Sequence, residues 1–312
     1  MDRTIGWLIG VGIALVIAAP VLPQWLAFLL TISLAKGLVV LGLLVLMRAG
    51  LVSFGQGLFY GLGAYAAGLS ANLLGVTDIF VLLAAGVVVS GTVAFLLGFL
   101  IARYRDIFFA MLNLAFSMVL YGILVRSSAL GSTDGFNLPP PSFVGWLPQN
   151  EAGRVAVLVT MVGIATIATT AAHRYLGSTL GFVGDAIRGN EIRVEYLGAS
   201  VRHAIHLKYV IAAASAGAGG VMTAIATGHI DPDLAFWTTS GEFVFVAILS
   251  GMGSVAAPLA GMLLFELIRT YAFEYSPYTW QMIIGTVMLA IIVFVPGGLW
   301  SLVARGRQVR GG

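Results

Sequence analysis

Few residues in this 312-residue chain are of types that do chemistry, and the spacings that would make them reactive are missing. There is no cysteine, which removes disulfides, thiolate nucleophiles and cysteine-ligated metals. His173, His203, His206 and His229 show neither H-E-x-x-H nor H-x-x-E-H spacing, so no metal is expected. No G-x-S-x-G nucleophile elbow occurs. No G-x-x-x-x-G-K-[ST] phosphate loop occurs either, and the glycine-rich IAAASAGAGGV at Ile211–Val221 reads as helix packing. The sequence therefore predicts no catalytic residue and no cofactor bound by this chain. A net charge of +3 gives no argument for nucleic acid.

What remains is a set of polar residues in apolar surroundings. Lys36 lies near the middle of an apolar run, where a charge is costly and must face protein or water. Asn113, Ser117 and Tyr121 fall at i, i+4 and i+8 and form one polar stripe. That stripe suits either interhelical hydrogen bonds or the lining of a pathway. The segment AGLVSFGQGLFYGLGAYAAGL, Ala49–Leu69, carries Ser53 and Gln56 among glycines, and SGEFVFVAILSGMGS, Ser240–Ser254, carries Glu242 in a similar setting. The likeness suggests a duplicated unit of glycine-interrupted helices, an arrangement at whose interface transport sites form. Lys36, Ser53, Gln56, Asn113, Ser117 and Glu242 are thus the candidate pathway residues. For Lys36, burial beside a partner subunit is the competing role.

The one long charged stretch is Gly177–Leu207, with Asp185, Arg188, Glu191, Arg193, Glu195 and Arg202. Two short helices are predicted in it. Thr179–Arg188 would end at Gly189 in a left-handed conformation. Glu191–Leu197 would be capped by Asn190 and stopped by Gly198. Ile192 and Tyr196 share a face of the second helix. That face must pack on the chain's own helices or enter a groove of another protein.

These residues are positioned by membrane-spanning elements. The chain is 59% hydrophobic and 9% charged, against about 25% charged in soluble domains. Runs able to span lie at Ile5–Ala19, Trp25–Met47, Ser53–Leu74, Ile79–Ala102, Ile107–Val125, Val155–Ala172, Leu207–Gly228 and Thr279–Leu302. Gly241–Met252 and Val255–Tyr271 fit a hairpin of two shorter helices. The fold class is all-α: a polytopic membrane protein of eight full spans plus that hairpin, about ten segments, with a cytoplasmic element at 177–206. With both termini inside, Arg3, Arg48, Arg103, Arg105, Arg174, Arg188, Arg193, Arg202, Lys208, Arg305, Arg307 and Arg310 face the cytoplasm, and Arg126, Arg154 and Arg269 face outward. In the outer loop 127–153, Thr133, Asp134 and Gly135 read as a turn, with the Asp134 carboxylate capping backbone amides.

Taken together, these motifs make the chain similar to a known family. AGLVSFGQGLFYGLGAYAAGL, GSTDGF at Gly131–Phe136, GDAIRGNEIRVEYLGASVRHAIHLKYVIAAASAGAGGVM at Gly184–Met222, SGMGSVAAPLAG at Ser250–Gly261 and FVPGGLW at Phe294–Trp300 resemble the signatures of branched-chain (hydrophobic) amino acid ABC importer permease subunits of the LivM type. The resemblance runs nearly end to end. It implies a single permease domain over 1–312 with the fold of type II ABC importers, in the bacterial inner membrane. It also implies a second homologous permease subunit, two cytoplasmic ATPases that bind ATP and Mg, and an extracytoplasmic solute-binding protein. Members of the wider family import urea, short amides or aromatic acids as well as branched-chain amino acids. Coupling to the ATPases is then expected through Arg188, Glu191, Ile192, Arg193, Tyr196, Leu197 and Gly198. An ion-coupled secondary transporter would need buried carboxylates, for which Glu266 and Glu242 are the candidates. An intramembrane enzyme lacks any nucleophile and base at working spacing.

Overall fold

The computed structural model describes residues 3–148, 150–295 and 297–301. Arg305, Arg307 and Arg310, and Pro296 of the last motif, lie outside them. Helices fall on all eight predicted runs: α1 (Arg3–Ala18), α2 (Gln24–Met47), α3 (Gln56–Leu74), α4 (Ile79–Ile101), α5 (Asp106–Arg126), α6 (Asn150–Leu176), α9 (Val201–Thr227) and α12 (Trp280–Phe294). Between α6 and α9 stand α7 (Thr179–Gly189) and α8 (Glu191–Tyr196), and α10 (Trp237–Ser250) and α11 (Ala257–Tyr275) form the hairpin. Five of these, α2, α4, α5, α6 and α9, are long and apolar enough to cross a membrane by themselves.

Several helices extend past the predicted runs, as α6 and α9 do at their starts, and three other differences change how the chain is read. The run Ser53–Leu74 becomes helical only at Gln56, and the residues before it are irregular although Ala49, Leu51, Ser53 and Gly55 are buried. Non-helical backbone at this depth is tolerated because protein covers it. The run Thr279–Leu302 breaks after Phe294, and Leu299 to Ser301 are helical again. Gly189 lies inside α7, and Asn190 turns the chain with extended backbone instead.

The core forms where α2, α3, α4 and α9 approach through small residues. A Cβ at Gly42 would lie 2.6 Å from the Ala212 carbonyl oxygen, and one at Gly219 would lie 2.5 Å from that of Ala35. Cβ atoms at Gly220 and Gly63 would strike the Tyr60 and Gly217 carbonyls. Without a lipid–protein difference in polarity to drive association, such close backbone packing holds the helices together. Most of α2 is consequently buried by its neighbours.

At one end of the bundle Asp78 does two jobs. Its carboxylate accepts from the Phe80 and Val81 amides, capping α4, and from the Val144 amide at 2.7 Å, pinning the outer loop. Beside it β1 (Phe136–Asn137) pairs antiparallel with β2 (His229–Ile230). Asp78→Ala is expected to destabilise by about 1 kcal/mol or more, since a cap and a loop tether go together. Asp78→Asn should keep the cap through its one amide oxygen and lose the tether, because an amide nitrogen cannot accept from the Val144 amide. Melting temperatures in detergent will separate the two variants.

Candidate functional site

Three regions gather the candidate residues. The first is the α7–α8 elbow. Ser178 caps α7, whose buried face is Gly181, Gly184 and Ile187. Arg48, at the end of α2, pairs with Asp185 at 3.5 Å, and the Lys208 side chain packs against Gly184, where a Cβ would collide with it. Lys208, expected to face water, is fully buried with its ammonium over the Tyr175 ring at 5.0 Å. Arg188 reaches the Met252 sulfur at 3.7 Å. α8 is held at both ends. Asn190 accepts from the Arg193 amide at 3.0 Å, and Gly198 leaves the helix at φ 85°, a left-handed conformation suited to glycine.

Between those ends Val194 packs into the core and Glu191 pairs with Arg105 at 2.7 Å. Arg105 is in turn fixed by the Ala102 and Tyr104 carbonyls. Glu191, expected at the rim of a partner groove, is thus engaged within the chain. The sequence reading put Arg105 on the cytoplasmic side but not opposite Glu191, although a basic residue at a helix turn facing that side was a usable signal. Ile192, Tyr196 and Leu197 are left 63%, 86% and 81% exposed, so the chain's own helices do not receive this apolar face.

The second region lies inside the bundle. The irregular segment before α3 enters from the elbow end. From the opposite end, β2 is followed by a 3-10 turn, Pro232–Ala235, that leads into α10. The two helix starts meet. The Gly57 amide donates to Ser240 Oγ at 2.9 Å, Gly61 lies against Ala235, and the Tyr60 and Phe243 rings are 5.2 Å apart, edge to face. The two glycine-interrupted segments are therefore neighbours. Gln56 is the first residue of α3 while Glu242 is in the second turn of α10, so these two do not occupy equivalent positions. Gln56 is fully buried, and neither amide atom has a hydrogen-bond partner. Ser53 Oγ accepts from the Gly55 amide at 3.3 Å.

The polar stripe of α5 fastens this junction. Asn113 accepts from the Tyr209 hydroxyl at 2.6 Å, Ser117 donates to the Ala235 carbonyl at 2.8 Å, and Tyr121 lies against Phe236. Asn113 and Ser117 are fully buried and make interhelical bonds. Lys36 Nζ meets Glu266 Oε1 at 2.6 Å across α2 and α11. Arg269, expected to face outward, lies within α11, 3.5 Å from Glu242 and 3.9 Å from Glu266. Arg269 was legible in part, because it stands three residues after Glu266 on the same helix.

The third region is the outer loop. Asp134 is exposed, and its carboxylate makes a 3.4 Å contact with the Thr133 hydroxyl in place of the expected backbone caps. The order comes from Gly135. Its φ is 66°, and a Cβ there would strike the Ile230 carbonyl. Asp134→Asn is expected to leave the melting temperature unchanged, whereas Gly135→Ala should lower it by pushing β1 from β2. Equal effects would return the role to the carboxylate.

Among the described residues no three metal-ligating side chains converge. A bundle of apolar helices, two of them starting at a buried junction and one end carrying a capped, exposed amphipathic helix, fits a multi-pass membrane permease. The chain belongs to the family described as branched-chain amino acid transport system / permease component, which residues 25–292 match. It is 25% identical over 299 residues to the high-affinity branched-chain amino acid transport system permease protein LivM of Escherichia coli K12, covering 88% of this chain and 70% of that one. Identity to the LivM protein of Salmonella typhimurium LT2 is 26% with the same coverage. The permease protein LivH of Escherichia coli K12 is 24% identical over 266 residues, covering 80% of this chain and 85% of that one. No solved structure matches the chain.

Proposed function

We propose that the chain is the membrane-spanning subunit of an ATP-driven importer of branched-chain amino acids in the bacterial inner membrane, with α7–α8 as its coupling element. The observation that carries this is the exposed Ile192, Tyr196 and Leu197 on a helix capped at both ends and braced by Arg105. A chain with no nucleotide motif must receive the work of ATP hydrolysis mechanically, and a short rigid helix with an unburied apolar face suits a groove on an ATPase. Arg188 and Arg193, both exposed, would flank that groove. Two ATPases that hold ATP and Mg, a solute-binding protein outside and a second permease subunit complete the machine. Similarity to both LivM and LivH relatives supports a heterodimer. The elbow end carries Arg48, Arg103, Arg105, Arg174, Arg188, Arg193 and Arg202, which by the positive-inside rule supports reading it as the cytoplasmic one; α1 also starts there, in keeping with an N-terminus inside. The helices starting at a buried junction are of the kind that line solute paths, which keeps Ser53 and Gln56 as path residues. The test is uptake by the complex reconstituted with its ATPases and binding protein. ATP-dependent accumulation of L-leucine is expected, and a binding protein loaded with a solute other than a branched-chain amino acid overturns the substrate assignment.

A further inference from the structure

Four charges meet midway through the bundle on α2, α10 and α11, where a charge facing lipid is costly. Two of them, Lys36 and Glu266, form a tight pair at 2.6 Å, with side chains 14% and 10% exposed. The other two are held differently. Arg269 stands 3.5 Å from Glu242 and 3.9 Å from Glu266, and Arg269 and Glu242 are 34% and 30% exposed. Their contact is longer and more open than that of the inner pair. The Trp280 ring centroid lies 5.4 Å from the Arg269 guanidinium, within cation–π range. One turn along α10 from Glu242, Phe245 presents an exposed ring, and Ile248 follows it on the same side.

We propose that Arg269 and Glu242 bind the charged head of a zwitterionic α-amino acid, with Phe245 and Ile248 beside its apolar side chain. The proposal rests on the reading of this chain as an amino-acid permease and names the part of it that meets the solute. A guanidinium fork takes a carboxylate through two parallel N–H donors, and Glu242 takes the ammonium group. The mutual contact of Arg269 and Glu242 is replaced by one contact each to the ligand, so the charge of the site sums to zero before and after. That balance suits a zwitterion and penalises an amine or an acid alone, since either leaves one protein charge unpaired in a low-dielectric setting. A second observation places the site on a polar route. Ser240, two residues before Glu242, holds the start of α3 through Gly57, and the next residue toward the irregular segment is the buried, unpartnered Gln56.

The chain has no cysteine, so Phe245→Cys gives a single reporter within it, read on this subunit after the complex is separated. The complete complex carrying it is treated with a membrane-impermeant, water-soluble thiol reagent in resting and ATP-bound states, with and without L-leucine and the binding protein. Labelling in one state, slowed several-fold by L-leucine but not by isoamylamine or 4-methylpentanoate, is expected. In parallel, Arg269→Gln should lower L-leucine uptake more than tenfold while the ATPases still co-purify, and Arg269→Lys should recover part of it. No labelling in any state, labelling that L-leucine does not slow, or loss of the ATPases from Arg269→Gln overturns the proposal and makes the four charges a structural brace. A parent complex that takes up no L-leucine overturns the underlying transport reading; a parent that transports while position 245 is never protected overturns this inference alone.

Discussion

Tyr196→Ala is expected to strip the ATPases from the complex. Tyr196 is the most exposed aromatic residue of the elbow, on a helix whose ends and buried side are already fixed by Asn190, Gly198, Arg105 and Val194. Because α8 is braced beforehand, little ordering cost offsets the contact it makes. Truncating a central aromatic anchor costs at least ~2 kcal/mol, a weakening of roughly 30-fold or more. Adding Ile192→Ala should complete the loss. Arg193→Ala should change little, because an exposed charge at a rim is screened and mobile. Co-purification of the ATPases in detergent, read with ATP-driven uptake, is the measurement. If Tyr196→Ala and the double variant both keep normal ATPase binding and uptake, α8 is not the coupling element. Glu191→Ala refines the point. It should leave the apolar face intact but free α8 from Arg105, so the ATPases would bind while hydrolysis runs without transport.

Gly220→Ala is expected to abolish accumulation of the folded chain. A methyl group at that position would fall on the Tyr60 carbonyl, which is backbone and has no rotamer to escape into. α3 and α9 would have to separate, and Gly63 against Gly217 would lose its contact in the same movement. Overpacking of this kind costs about 3 kcal/mol or more where the obstacle is rigid. The matched control is Gly163→Ala in α6, where a Cβ meets nothing within 4 Å. There alanine gains about 1 kcal/mol of helix propensity and should raise the melting temperature. Equal behaviour of the two variants would show that the α3–α9 seam tolerates widening.

How much of this was legible follows from what hydropathy reports. A run of apolar residues records that its surroundings are not water, so all eight runs and the hairpin carried helices. It does not record whether those surroundings are lipid or protein, so the burial of α2 was invisible. Nor does it record where backbone bonds start, so the irregular entry into α3 was read as helix. Caps depend on neighbours in sequence, and Asn190, Gly198 and the α8 face were therefore readable. Partnerships across the fold were not. Lys36 and Glu266 are 230 positions apart, and nothing local says that each answers the other's charge. Lys208 was assigned to water for the same reason: counting cations by topology does not show that it is buried over the Tyr175 ring, nor that Arg269 answers Glu242 and Glu266.

The wrapping of α2 has a consequence for how the chain is made. This helix leaves the ribosome before α9, and its hydropathy commits it to the bilayer at once. Its later neighbour α9, which fills the grooves at Gly37, Gly42 and Ala35 together with α11, is separated from it by α3 to α8. During all of that synthesis α2 is solvated by acyl chains, and assembly is an exchange of lipid for protein after insertion is complete. A nascent chain stopped before Val201 would therefore be inserted but unassembled, with a groove of small residues and the ammonium of Lys36 turned to the bilayer, the features by which a membrane protease can sort unfinished chains from finished ones.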